Sequence, residues 1–143
     1  MTAKEYLNRI RRQNFILKQT EHELTEIRSD ILTIQASSLA EHVSGSKNSD
    51  VADKYIRLEQ YMDKVNHEWD ILINMRMEAK AMIKVLPDPQ QQAVLYARYI
   101  NGLRWEAIAV EMGYSWKGVF KIHGQALQAF EQVHHDALAS RVS

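Results

Sequence analysis

The sequence holds no cysteine, which excludes a disulfide scaffold, a thiolate zinc site and a thiol nucleophile. Proline occurs twice and glycine five times in 143 residues. Four of those glycines lie beyond position 100, so most of the chain before it has few breakers and reads as helix. No apolar run approaches the ~20 residues that a membrane span requires. The opening, Thr2-Ala3-Lys4-Glu5-Tyr6-Leu7, is a charged helical start without a signal-peptide core. A soluble, cytoplasmic protein is expected. Charge of one sign is missing too: Lys+Arg and Asp+Glu stand at 18 each. The strongly basic footprint usual in a nucleic-acid binder is therefore absent.

Catalytic signatures are equally scarce. There is no glycine-rich phosphate loop, no nucleophile elbow and no carboxylate pair on a strand. The six histidines lack metal-ligand spacing, and the adjacent His134 and His135 point about 100° apart on a helix. No enzyme activity, no metal and no cofactor are expected.

What is present is helical periodicity. Across residues 3–36, Ala3, Ile10, Leu17, Leu24 and Ile31 recur every seventh position. Tyr6, Gln13, Thr20, Ile27 and Ile34 follow three residues after each, with Gln13 and Thr20 as polar interruptions. Arg9, Arg11 and Arg12 read as part of a solvated outer face. Residues 37–50, rich in serine with a glycine and an asparagine, read as a flexible loop, with Lys47 the one candidate for a recognition role. From 51 to 86 the heptad resumes. Val51, Leu58, Val65, Leu72, Ala79 and Leu86 form one row; Tyr55, Met62, Trp69 and Ile83 form the other, with Arg76 interrupting as a register-setting or snorkelling residue. Two such helices predict an antiparallel coiled-coil hairpin over 1–86, with burial of Trp69 and the leucines as the main stabilising term. A second chain could share that apolar surface, so a homodimer through the coiled coil is a candidate assembly.

Leu86-Pro87-Asp88-Pro89 ends the helix, because proline disfavours helix at the residue before it, and marks a second domain over 87–143. Asp88 can cap the next helix, with Pro89 at its first position. Asn101-Gly102 closes that segment, since both tolerate positive φ. The following one carries Trp105, Ile108, Ala109 and Met112 at helical spacing and stops at Gly113. Ser115 caps a third, on which Val119, Ile122, Ala126 and Phe130 form an inward stripe toward Leu95 and Ile108. Helix, tight glycine-containing turn, helix is the helix-turn-helix signature.

Leu86-Pro87, the Tyr99-x-x-Gly102-Leu103 turn, Glu106-Ala107-Ile108-Ala109, Met112-Gly113-Tyr114-Ser115, Val119 and Gln125-Ala126-Leu127 together resemble region 4 of bacterial sigma factors. With its N-terminal half included, the chain is similar to the small sigma-like regulators encoded in prophages, among them late-transcription activators of the ArpU and RinA type. The resemblance implies a DNA-binding regulator of transcription of phage or prophage genes, with double-stranded DNA and RNA polymerase as partners. At this length the chain is expected to lack the domain of a full sigma factor that melts the −10 element.

On the third helix, Lys117, Lys121 and Gly124 share one face, with Trp116, Phe120 and His123 on the adjoining one. Ser115, Trp116, Lys117, Phe120 and Lys121 are the candidates to meet the major groove, the lysines at phosphate or guanine and an aromatic at a thymine methyl. Arg104, at the start of the preceding helix, is the candidate to hold the backbone. Trp116 and Phe120 equally fit a protein interface. Over 90–130 only four basic residues stand against two acidic ones, so an isolated domain should bind DNA weakly and need a second copy or a partner. Two other classes fit the same pattern: a phage packaging subunit of the small-terminase kind, and an interaction module whose helix-turn-helix no longer binds DNA.

Overall fold

The computed structural model describes residues 1–41 and 45–141. The fold is all-α, with no strand among the described residues. Helix α1 spans Ala3–Glu41 and α2 Gly45–Lys84. α3, Pro89–Leu95, runs on into a π-helical stretch, Tyr96–Ile100. Then come α4 (Trp105–Met112), α5 (Trp116–Val133) and α6 (His135–Ala139). The chain divides into two compact units, residues 14–71 and residues 1–13 with 72–143.

A reciprocal cap starts α1. The Thr2 hydroxyl accepts from the Glu5 amide at 3.1 Å, while a Glu5 carboxylate oxygen accepts from the Thr2 amide at 3.0 Å. In the 14–71 unit α1 and α2 lie antiparallel: Gln35 Nε2 donates to the Tyr55 hydroxyl at 2.6 Å, and Lys54 Nζ sits 3.6 Å from Asp30. Nearer the other end of this unit, Tyr61 bonds Glu23, which raises the phenol's pKa. Leu17, Leu24, Ile31 and Val65 are buried here. Thr20 is buried among them because its hydroxyl donates to the Ile16 carbonyl one turn back, at 3.1 Å, so no polar atom is stranded.

The structure differs from the sequence reading first in the segment between the two long helices. Helix occupies 37–41 and 45–50, where a loop over 37–50 is expected; residues 42–44 and the side chain of Lys47 lie outside what the structure describes. Extending an existing helix costs far less than starting one, so serines adjoining two long helices can join them. The second difference is the α2 seam. Val65, Leu72, Ala79 and Leu86 are buried as expected, as is Ile83 of the second row, but Tyr55, Met62 and Trp69 are 42%, 40% and 43% exposed. The row that completes the seam is Tyr61, Glu68, Met75 and Met82, half-buried except for Glu68, which is only 7% exposed. Spacing of three and four residues is satisfied on either side of the Val65 row; the chain uses the side that carries a carboxylate. Trp69 therefore stabilises little by burial.

The other unit gathers the first turns of α1, the last turns of α2 and the C-terminal helices around one core. Leu7, Ile83, Leu86, Val94, Leu95, Ile108, Val119 and Phe130 are its largest fully buried side chains. The Tyr6 and Phe130 rings lie 5.9 Å apart, and Glu131 accepts from the Ala3 amide at 2.9 Å. Tyr6 donates to Glu78, which also pairs with Arg141. Burial first, and then the Glu78 hydrogen bond, raises the Tyr6 phenol. His134 Nε2 donates to the Met82 carbonyl at 2.7 Å. Arg76, whose position interrupts the expected heptad, donates to the Ile100 carbonyl and so closes the end of the π-helical stretch. That hydrogen bond explains an arginine at this position better than register or snorkelling does.

Candidate nucleic-acid interface

Local signals set the C-terminal helices. The Asp88 carboxylate accepts from the amides of Gln90 at 2.8 Å and Gln91 at 3.4 Å, with Pro89 in the first turn. The chain leaves the π-helical stretch through Gly102 at φ +68°, and Leu103 N closes back on Ala97 O at 3.0 Å. α4 ends at Gly113, φ +69°, where an L side chain would be strained. Ser115 then caps α5, its hydroxyl accepting from the Gly118 amide at 3.2 Å. α4 and α5 are thus joined by the three residues 113–115 and held together by Ile108, Ala109 and Val119, with Ala97, Leu103, Trp105 and Met112 packed around them.

On α5, Val119, Ala126 and Phe130 are buried and Ile122 half-buried, so the stripe expected to face inward does so. His123 departs from expectation. It belongs to the interior and not to the outer aromatic face: it is buried, its Nε2 lies 2.8 Å from the Tyr99 hydroxyl, and Trp105 stands edge-on at 4.6 Å. Burial, with Lys4 and Arg98 adding positive charge, lowers its pKa to about 4, and the ring is neutral at pH 7.

Ser115, Trp116, Lys117, Phe120 and Lys121 are all exposed on the first two turns of α5. Trp116 keeps 50% of its surface in solvent and Phe120 44%. These two rings lie 6.1 Å apart, and Phe120 continues onto Trp105 at 5.0 Å. Arg98 covers the far side of this row, with its guanidinium 4.4 Å from the Trp105 ring centroid and Nη1 donating to the Leu103 carbonyl at 3.0 Å. Arg104 is exposed and extended at the start of α4, and it makes no side-chain capping bond. Its neighbour in sequence, Trp105, is the residue whose ring meets Phe120 at a tilt.

The sequence does not reveal that Arg98 and Trp105 join this surface. Trp105 reads as one member of an apolar helical stripe, and Arg98 precedes it by seven residues across a turn. The arrangement that results is an exposed aromatic ridge with cations beside it. Such a surface can lie on a polyanion or on another protein; no group of three or more His, Cys, Asp or Glu able to hold a metal exists among the described residues.

A family model described as "Protein of unknown function (DUF1492)" matches residues 32–131. The chain belongs to this family. The DUF1492 match runs from within α1 to within α5 and takes in Arg98, Arg104 and the whole exposed tip of α5. No curated protein and no solved structure matches the chain.

Proposed function

We propose that this DUF1492 protein is a DNA-binding regulator of transcription, similar to sigma region 4 and acting on phage or prophage genes in the cytoplasm. α5 enters the major groove from its N-terminal end. Lys117 and Lys121 meet phosphate or guanine, Ser115 and Arg104 hold the backbone, and Trp116 or Phe120 touches a thymine methyl. The single observation that supports this reading is the exposure of all five α5 candidates on one helix tip, behind a three-residue glycine turn. With few cations on that tip, binding is weak for one copy and strengthened by a second copy, joined along the exposed Tyr55, Met62 and Trp69 row of α2, or by RNA polymerase.

The exposed aromatic ridge favours a second reading, an interaction module in which Trp116 and Phe120 anchor a protein partner. Titrating labelled duplex at low and moderate salt separates the two. The DNA reading expects binding that weakens steeply with salt and is largely lost in the Lys117→Ala, Lys121→Ala double variant. No binding at low salt leaves the interaction module; binding indifferent to that double variant overturns the role of the α5 lysines.

A further inference from the structure

The α5 tip carries two lysines, too few to hold a duplex firmly, so cations from elsewhere in the same compact unit matter. Lys4 and Arg11 are two turns apart on α1 and share one side of it. Arg11 Nη1 donates to the Arg98 carbonyl at 3.3 Å, which brings the α1 cations up to the residue whose own guanidinium covers Trp105. Trp105 in turn packs on Phe120 and His123 of α5. The first turns of α1 thus flank the aromatic ridge on the side away from Trp116.

Three cations gather at this corner, with Glu131, which accepts from the Ala3 amide beside Lys4, and Glu106 as carboxylates close by. Ion pairs among the described residues involve other groups, and none includes Lys4, Arg11 or Arg98. Glu106 is the one carboxylate whose charge reaches Arg98. Burial and then Arg11 lower the pKa of Arg98, and Lys4 and Arg98 both oppose protonation of His123. Gathered like charges destabilise a fold by mutual repulsion, and an anion laid across them removes that cost.

We propose that Lys4 and Arg11, together with Arg98, form a second phosphate-binding strip that holds the sugar–phosphate backbone beside the segment faced by α5. The inference rests on the DNA reading of α5 and extends its footprint onto α1. It also makes Arg11 a ligand-facing residue where the sequence alone reads a solvated face. A chain of zero formal net charge can bind a duplex this way, because a few cations brought to one face suffice for local phosphate contacts.

The test is salt-dependent binding of the full chain to a random-sequence duplex, for the parent, for Lys4→Gln with Arg11→Gln, and for Lys4→Glu alone. Lys4 is exposed and the substitution at that position leaves the core untouched, so the single variant remains informative should loss of the Arg11 hydrogen bond disturb folding. Each phosphate contact removed should flatten the slope of log K against log salt by about 0.9. The double variant is expected to lose between one and two such contacts and to bind several-fold more weakly on every duplex sequence; Lys4→Glu should lose one. Parent-like slopes and affinities in both variants, with Lys117→Ala, Lys121→Ala still defective, would overturn the strip and leave the α5 reading standing. A parent chain that binds no duplex at low salt overturns both.

Discussion

His123 shows how one residue can change its meaning between sequence and fold. On a helical wheel it extends the outer row of Trp116 and Phe120, yet the ring turns inward to the Tyr99 hydroxyl beneath Trp105. Its pKa is lowered to about 4 from an ordinary 6.5, so on acidification the unfolded chain takes up the proton first. Stability from the neutral ring is therefore fully present above pH 6.5 and is lost as pH falls toward 4, by about 2–3 kcal/mol over that window. Denaturant unfolding at stepped pH should show this decline, and His123→Phe should remove that part of it. An NMR titration placing the His123 midpoint near 6.5 would mean that the ring is solvated. Ser115, Gly113 and Asp88, by contrast, could be read directly, because a cap or a left-handed turn is decided within three or four residues of chain.

At the scale of the element, α2 is instructive because its seam lies beside the more apolar row. Met62 and Trp69 are better core residues than Glu68, and a reading by hydrophobicity selects them. The helix instead buries Val65 and Leu72 with Glu68 and leaves Trp69 outside. Burial decides the energetic consequence. Leu72→Ala should cost about 2–5 kcal/mol through lost transfer energy and a cavity. Trp69→Ala in the isolated chain should cost under about 1 kcal/mol, as expected for a surface change. Equal losses in chemical denaturation would show that Trp69 is covered in solution. The π-helical stretch was illegible for a related reason. Nothing in Tyr96-Ala97-Arg98-Tyr99-Ile100 announces it locally, whereas Arg11 and Arg76, distant in sequence, donate to the carbonyls of Arg98 and Ile100. Such a bulge depends on partners that only the folded unit supplies.

For the whole molecule, periodicity and punctuation were enough to give an all-α chain with two long helices ahead of shorter ones. They gave the inward stripe of α5 as well, since Val119, Ala126 and Phe130 obey a 3.6-residue repeat. What they could not give is how residues far apart in sequence share one surface. The compact unit that contains α3 to α6 also contains residues 1–13 and the end of α2, joined through Tyr6, Glu78, Met82 and Glu131. That arrangement brings Arg11 to Arg98 and makes a basic corner in a chain whose overall charge is balanced. Composition averages over the molecule, whereas a duplex meets a single face of it.

The central claim is that the tip of α5 is the part of this protein that touches DNA. Backbone amide shifts recorded while a short duplex is added at low salt test it most directly. The largest changes are expected on Ser115 to Lys121 and on Arg104. Changes confined to residues outside that surface, or a spectrum that the duplex leaves unaltered, would contradict it.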